Sequence, residues 1–121
     1  MPKKRIVVVD DDESIRKTFF LLLVSSYNVY LAADATEALT KFKKADIDLI
    51  IADLRLPGKN GLDLIRDFRQ TGYEGKAVLI SAYPDQIKPE EIKKLKIDYL
   101  FTKPLDLKAL TGTIDLLLGS S

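Results

Sequence analysis

Five short, continuous apolar segments alternate with longer amphipathic segments along this chain. The apolar segments cover residues 6–9, 29–32, 49–52, 77–80 and 100–101. Continuous aliphatic and β-branched runs of this length are typical of strands that are buried on both faces, as in a parallel sheet. The pattern therefore predicts five short strands.

Apolar residues recur at helical spacing after four of these strands, which predicts an amphipathic helix at each place. The positions that mark these helices are Ile15, Phe19, Leu22 and Leu23, then Ala38, Leu39 and Phe42, then Leu62, Ile65 and Phe68, and finally Leu107, Leu110, Ile114 and Leu117. Each predicted strand but the fourth is thus followed directly by a clear helical pattern.

Local signals set the bounds of two helices. Asp34 lies three residues before Glu37, the spacing of a capping box, so the second helix is expected to begin there. Pro84 and Pro89 follow the fourth strand. Because proline is tolerated in the first turn of a helix but not in its interior, we expect a long loop and then a short fourth helix over residues 89–96.

Strict alternation of strands and helices predicts an α/β fold, with a single doubly wound, five-stranded parallel sheet and helices on both faces. The 121 residues show no internal repeat or linker, so we expect one domain over residues 1–121. In open sheets of this type the functional site lies beyond the carboxyl ends of the strands, where the strand order reverses.

Composition removes several classes of chemistry. The chain has no His and no Cys, which excludes disulfides, thiol nucleophiles, imidazole-based catalysis and the common zinc sites. Its formal net charge of +1 provides no basic surface for nucleic acid or for an anionic membrane. The apolar runs, such as residues 19–24, are too short to cross a bilayer. We therefore expect a cytoplasmic protein that uses carboxylates, hydroxyls, ammonium groups and hard cations.

Chemically useful side chains follow four of the five predicted strands. They are Asp10, Asp11 and Asp12 after the first strand, Asp53 after the third, Ser81 after the fourth and Lys103 after the fifth. If the first and third strands are neighbours, their carboxylates repel one another unless a proton or a cation lies between them. Oxygen ligands without His or Cys favour Mg²⁺.

A carboxylate, a hydroxyl, an ammonium group and Mg²⁺ together are suited to phosphoryl transfer. Asp53 is the candidate nucleophile, since it ends the middle strand and an aspartate can form an acyl phosphate. Lys103 would bind a phosphoryl oxygen as a point charge, and Ser81 would donate a hydrogen bond to another.

Each of these residues alone has an ordinary structural explanation. Asp11 and Asp12 precede a helix, where carboxylates cap free N–H groups, and Asp53 precedes a turn that contains proline and glycine. The functional interpretation depends on their joint occurrence at the carboxyl ends of strands in one sheet.

The sequence resembles the receiver domain of bacterial two-component response regulators, in the superfamily of the chemotaxis regulator. The resemblance covers essentially the whole chain, and it rests on residues 9–13 (VDDDE), 51–62 (IADLRLPGKNGL), 80–82 (ISA) and 102–105 (TKPL). It implies a flavodoxin-like strand order, 2-1-3-4-5. It also implies a phosphoacceptor switch that changes its partner-binding surface, a regulatory domain rather than an enzyme.

The resemblance also implies a metal site. Asp11 would bind Mg²⁺ directly and Asp10 through water, with the Asp53 carboxylate and the main-chain carbonyl of Arg55 as the other protein ligands. Asp53 would accept the phosphoryl group from the phosphohistidine of a sensor histidine kinase or phosphotransfer protein.

Two further family positions are filled by Ser81 and Lys103. Ser81 would move to bind a phosphoryl oxygen, and Lys103 would precede a cis peptide bond to Pro104 that aims its ammonium group inward. The output domain would be either fused to the receiver or separate, and this segment would bind neither nucleic acid nor membrane.

Two features depart from the family pattern. The position three before Lys103, often an aromatic residue, is Leu100, with Tyr99 one step earlier, so the sequence does not support coupling between Ser81 and an aromatic switch. Pro84 and Pro89 alter the surface that many receivers use for output, so output geometry cannot be carried over.

Arg55 and Tyr83 lie two residues after the acceptor and two after Ser81, respectively. They are either variable loop residues or a shield that keeps water from the acyl phosphate; the sequence favours neither.

Two alternative functions remain at this point. An aspartate-nucleophile phosphatase of small phosphoesters would need a general acid two residues after Asp53, where the chain has Arg55. A receiver-like module that no longer takes phosphate would not need the complete acceptor-site set that is present.

Overall fold

The computed structural model describes residues 3–42 and 46–119. The strands are β1 (Arg5–Val9), β2 (Asn28–Ala32), β3 (Leu49–Asp53), β4 (Lys76–Ser81) and β5 (Tyr99–Thr102). The helices are α1 (Glu13–Leu23), α2 (Ala35–Lys41), α3 (Gly61–Gln70), α4 (Pro89–Lys94) and α5 (Leu107–Leu118), with a 3₁₀ turn at Pro84–Gln86. No helix in these residues combines the length and apolar character that a membrane span requires.

The five strands form one parallel sheet in the order β2-β1-β3-β4-β5, which confirms the predicted fold class. The order reverses between β1 and β3, because the chain first moves outward to β2 and then returns. Val9 of β1 pairs with Ala52 of β3. The residues that follow these two positions, Asp10 and Asp53, therefore emerge side by side at the carboxyl edge of the sheet.

Both faces of the sheet are covered, which explains why the strands read as continuous apolar runs. In β3, Leu49 and Ile51 belong to the core beneath α1 and α5, whereas Ile50 and Ala52 belong to the core beneath α2, α3 and α4. All five residues of β3 are buried. A fully buried aliphatic side chain contributes about 2 kcal/mol, so packing on both faces fixes the strand that carries Asp53.

The helix that follows β1 is capped by a residue of the acidic segment. Asp12 is the N-cap of α1 and accepts hydrogen bonds from the N–H groups of Ser14 and Ile15. The structural explanation considered for Asp12 is therefore correct. Since Asp12 is occupied in this way, it is Asp10 and Asp11 that remain for chemistry at the end of β1.

The predicted capping box at the start of α2 forms only in part. Asp34 accepts a hydrogen bond from the Glu37 N–H, but the Glu37 carboxylate pairs with Lys41 along the helix surface, 3.7 Å away. In the described part of the chain, the complete reciprocal box is found at α3, between Asn60 and Asp63.

The fourth helix is shorter than the predicted residues 89–96, since it ends at Lys94. Lys96 has a φ of 55°, in the left-handed region. The N–H groups of Lys96 and Ile97 bond back to the carbonyls of Lys93 and Ile92, at 3.2 and 3.0 Å. This is the hydrogen-bond pattern of a Schellman motif, which ends the helix without a glycine.

Candidate functional site

Three polar side chains lie buried at the carboxyl edge of the sheet. Asp10 follows β1 and is 1% exposed, Asp53 ends β3 and is 6% exposed, and Ser81 ends β4 and is 2% exposed. Among the described residues these are the polar side chains that are buried. Buried charges need partners, so this concentration at one edge marks the candidate site.

Asp10, Asp11 and Asp53 form a cluster of carboxylates. Each offers an oxygen that lies within 4.8 Å of the others. The three residues come from the loop after β1 and from the end of β3, as the sequence predicted. Such spacing suits one cation bound between oxygen ligands.

The inner oxygen of Asp10 lacks a hydrogen-bond partner. Asp10 Oδ1 accepts from the N–H of Asp12 at 2.9 Å, but the buried Oδ2 accepts no hydrogen bond. Burial, reinforced by the neighbouring Asp53 charge, raises the pKa of Asp10 to about 6. An orphaned buried oxygen among three carboxylates fits a hard divalent cation such as Mg²⁺, which would supply the missing partner.

Lys103 is the cation that reaches this cluster from the far side of β4. Its Nζ lies 2.8 Å from Asp53 Oδ2 and 3.9 Å from Asp10 Oδ2. Burial lowers the pKa of Lys103, but the hydrogen bond to Asp53 and the surrounding carboxylate charges outweigh burial and raise the pKa above its ordinary value. The peptide bond between Lys103 and Pro104 is cis, as the resemblance implied.

Among the described residues, Lys103 is the cation that lies within ion-pair distance of Asp10 and Asp53. The three carboxylates and the Lys103 ammonium together carry a formal charge of −2. A divalent cation suits this excess of negative charge among oxygen ligands.

The loops after β3 and β4 fold back on the side chains that end those strands. The N–H of Arg55 donates to Asp53 Oδ1 at 3.1 Å, and the N–H of Tyr83 donates to Ser81 Oγ at 2.9 Å. Both are local turns in which a short side chain bonds the backbone two residues on. They hold the Arg55 main chain beside Asp53 and leave the Ser81 hydroxyl proton available for donation.

Gly61 lets α3 begin directly against Asp53. Its N–H donates to the Leu54 carbonyl at 2.9 Å, and a Cβ at this position would collide with the main-chain oxygen of Asp53 and lie 3.0 Å from the Leu79 side chain. Only a residue without a side chain fits so close an approach. The sequence predicts a turn at this point, and the contact of Gly61 with the acceptor strand goes beyond that prediction.

The two departures from the family pattern have different structural outcomes. Leu100 is partly buried and packs against the core beneath α2, α3 and α4, so it serves as packing. Tyr99 is 46% exposed. It shares with Phe101 the face of β5 opposite Leu100, and the two ring centres lie 4.6 Å apart. Pro84 begins a 3₁₀ turn within the expected loop, and Pro89 begins the expected short α4.

Arg55 and Tyr83 contact each other across the top of the site. The Arg55 guanidinium carbon lies 4.8 Å from the centre of the Tyr83 ring, a cation–π distance. Tyr83 is 53% exposed. The two loop residues therefore form one paired surface feature rather than two independent side chains.

One further side chain bonds the acidic loop. Arg16 of α1 donates from Nη1 to the main-chain oxygen of Asp10 at 2.6 Å. The sequence does not predict this contact. An arginine six residues after Asp10 gives no signal in sequence, because its target is a backbone atom.

Comparisons with known proteins identify relatives of this chain. A family model described as the response regulator receiver domain matches residues 6–115. Response regulator RR06 of Streptococcus pneumoniae is 32% identical over 97 residues, which are 80% of this chain and 44% of that protein. Regulatory protein VanRB of Enterococcus faecalis is 32% identical over 100 residues, 83% of this chain and 45% of that protein. The chain thus spans less than half the length of these relatives.

Solved structures show the same fold over nearly the whole chain. The chemotaxis protein CheY4 of Vibrio cholerae matches with a TM-score of 0.83 and 28% identity, covering 96% of this chain and 99% of that one. Response regulator TrrA of Thermotoga maritima, solved in complex with Mg²⁺–BeF, matches with a TM-score of 0.82 and 30% identity, covering 95% of this chain and 99% of that one. The chain belongs to the response regulator receiver domain family.

Proposed function

We propose that Asp53 is the residue through which this receiver domain acts as a phosphoacceptor switch. A receiver domain is a regulatory phosphoacceptor domain, and the alternative of a phosphatase of small phosphoesters has no support from the relatives. The observation that carries the assignment is the position of the Asp53 carboxylate, which lies within 4.8 Å of oxygens of Asp10 and Asp11 and 2.8 Å from the Lys103 ammonium.

The transfer would take place between Asp53 and a phosphohistidine of a sensor histidine kinase or phosphotransfer protein. A carboxylate oxygen of Asp53 attacks phosphorus, the P–O bond forms as the P–N bond breaks, and the donor imidazole leaves. The product is an acyl phosphate on Asp53. The chain has no histidine, so the donor group has to come from the partner.

Mg²⁺ is the proposed cofactor, and the side chains of Asp10, Asp11 and Asp53 with the main-chain carbonyl of Arg55 would hold it, Asp10 through water. When bound, it would neutralise the developing charge on the phosphoryl oxygens. The orphaned Asp10 oxygen and the formal charge of −2 support this assignment. TrrA, the 30% identical structure, was solved with Mg²⁺–BeF.

Lys103 and Ser81 would bind the phosphoryl group after transfer. The Lys103 ammonium, already 2.8 Å from Asp53 Oδ2, would contact one phosphoryl oxygen as a point charge. The Ser81 hydroxyl would donate to another. Because Ser81 Oγ also accepts the Tyr83 N–H, a movement of Ser81 would pull on the loop after β4 and bias a pre-existing equilibrium of that surface.

We also propose a wider setting for the domain. Residues 1–121 would form one receiver domain that works in the cytoplasm, with an output domain that is fused or separate. Leu100, where many receivers carry an aromatic residue, packs into the core, so the surface change would depend on the Ser81–Tyr83 loop without an inward-swinging ring.

The test uses a small-molecule phosphodonor with Mg²⁺, so that no cognate kinase is needed. Phosphorylation of the wild-type protein and of Asp53→Asn is compared by intact mass and by the amounts of acid-stable and acid-labile phosphate. The matched control is Asp34→Asn, a carboxylate that caps α2 and that asparagine replaces well. We expect labelling of wild type and of the control, with none on Asp53→Asn. Equal labelling of Asp53→Asn would show that the acceptor is wrongly assigned.

A further inference from the structure

Arg16 is placed to act on the metal site without touching a metal. It lies in the second turn of α1 and is half-buried, and its Nη1 donates to the main-chain oxygen of Asp10 at 2.6 Å. In the described part of the chain no carboxylate lies within ion-pair distance of its guanidinium. A charge-assisted hydrogen bond to a backbone carbonyl is therefore its main polar contact.

The carbonyl that Arg16 holds belongs to the peptide that joins Asp10 to Asp11. Asp10 itself is fixed by other bonds, because its N–H donates to the Ala32 carbonyl at 3.1 Å and its Oδ1 accepts the Asp12 N–H at 2.9 Å. Asp11 is exposed, and within residues 3–42 and 46–119 its carboxylate has no hydrogen bond. The plane of the preceding peptide therefore governs the direction in which the Asp11 Cα–Cβ bond leaves the main chain.

We propose that Arg16 is a positioning residue for cation binding. By fixing the plane of the Asp10–Asp11 peptide, its guanidinium holds the Asp11 carboxylate within reach of the Asp10 and Asp53 oxygens, the arrangement in which all three lie within 4.8 Å. This inference rests on the proposed function, in which Asp11 is a direct ligand. Partners that orient a metal ligand affect metal affinity although they do not touch the metal.

The charge of Arg16 and its positioning role act on cation binding in opposite directions. A guanidinium near an acidic cluster repels an incoming cation, so neutralising it strengthens binding if charge is all that matters. Loss of the peptide contact weakens binding instead, because Asp11 is then free to turn toward solvent. The direction of the change in Mg²⁺ affinity therefore separates the two roles.

The experiment compares Arg16→Met with Lys17→Met, its matched control. Lys17 is the next residue of α1, and its ammonium pairs with Glu13 on the surface at 3.3 Å. The Mg²⁺ dissociation constant is measured by calorimetric titration, and the metal-free fold is checked by circular dichroism and thermal unfolding. We expect Arg16→Met to bind Mg²⁺ about tenfold more weakly, and Lys17→Met to bind as tightly as wild type or slightly more tightly.

A second variant and a metal-free measurement keep the test decisive if Arg16→Met does not fold. Arg16→Lys retains the charge but loses the planar group that reaches the carbonyl, so it should also bind Mg²⁺ several times more weakly. In metal-free protein the ¹⁵N amide signals of Asp11 and Asp12 should shift in both Arg16 variants and stay in place in Lys17→Met.

Asp11→Asn, measured alongside, shows which proposal fails. If Asp11→Asn loses Mg²⁺ binding while the Arg16 variants bind as tightly as wild type or more tightly, the positioning role is wrong and the metal site stands. If Asp11→Asn binds Mg²⁺ normally, the assignment of the metal ligands fails, and the inference about Arg16 fails with it.

Discussion

The Lys103 side chain reaches across the end of β4 and donates a 2.8 Å hydrogen bond to Asp53, since the two residues lie at the ends of β5 and β3. The contact places a fixed positive charge beside the oxygen that is proposed to take the phosphoryl group. The same ammonium lies 3.9 Å from Asp10 Oδ2. The Lys103 ammonium therefore partly neutralises the carboxylates that would bind a cation.

Replacement of Lys103 should separate cation binding from phosphorylation. In Lys103→Met the competing positive charge is gone, so Mg²⁺ affinity should rise on the order of tenfold. The phosphoryl group loses its point-charge contact, so labelling of Asp53 by a small-molecule donor should slow by about a hundredfold. Calorimetric titration and initial labelling rates measure the two effects.

Lys108→Met is the control for that prediction, because Lys108 is an exposed lysine of α5. Neither the Mg²⁺ affinity nor the labelling rate should change in it. Parallel loss of both properties in Lys103→Met would indicate that Lys103 mainly maintains the fold of the site.

The raised pKa of Asp10 predicts a pH-dependent cost to stability. Its folded-state pKa of about 6 lies above the ordinary 3.8, so the fold favours the protonated carboxyl. The stability that the protonated Asp10 carboxyl contributes to the fold is fully present below the ordinary pKa and is lost as pH rises through about 6. At neutral pH without metal, Asp10→Asn should therefore raise the free energy of unfolding by about 2 kcal/mol.

Urea unfolding of wild type and Asp10→Asn, in the presence of a chelator, measures this difference. The advantage of Asp10→Asn should shrink as pH falls toward the ordinary Asp pKa, and added Mg²⁺ should reverse it by stabilising only the wild type. Asp106→Asn, at the exposed N-cap of α5, is the control. An advantage that is independent of pH would mean that the Asp10 charge is not its cause.

The fold could be predicted from sequence because burial on both faces leaves a direct trace. The β3 residues alternate between two cores, so residues 49–52 are all apolar. The end of α4 could not be predicted in the same way. It depends on a left-handed Lys96, and lysine carries no signal for that conformation, whereas a glycine there would have been read as a stop.

The site was predictable to the extent that its members end strands. Asp10, Asp53 and Lys103 were found together because the carboxyl ends of parallel strands share one edge. Gly61 and Arg16 were missed, since each acts on a backbone atom of an acidic residue. Such contacts depend on how a helix packs on the sheet, and spacing along the chain does not encode that.

Gly61 and Gly112 offer a matched pair of glycine-to-alanine changes in helices. A Cβ at Gly61 would collide with the Asp53 main chain, so Gly61→Ala should lower the free energy of unfolding by about 2 kcal/mol and displace the acceptor strand. Around Gly112 of α5 nothing lies within 4 Å of an added Cβ. Gly112→Ala should therefore raise the free energy of unfolding by about 0.5–1 kcal/mol.

Chemical denaturation measures both glycine variants, and the labelling rate of Asp53 reports on the acceptor. Only Gly61→Ala should label more slowly. Similar stability of the two variants would show that α3 can move away from β3 at little cost, contrary to the close approach seen here.

The Arg55–Tyr83 contact predicts a longer-lived acyl phosphate. The guanidinium lies 4.8 Å from the ring centre, and the two residues stand on the loops that follow Asp53 and Ser81. If the pair limits access of water to phosphorylated Asp53, the double variant Arg55→Ala, Tyr83→Ala should lose phosphate several times faster than wild type. Each single variant should show most of that effect, because either change breaks the pair.

The decay of the labelled protein after removal of the donor measures the lifetime, with Mg²⁺ held at saturation. Tyr99→Ala is the control, because Tyr99 is similarly exposed but packs against Phe101 on β5. Its phosphate lifetime should match that of wild type. If the double variant decayed no faster than wild type, Arg55 and Tyr83 would be variable loop residues that happen to touch, and the lifetime would have to be set by groups nearer to Asp53.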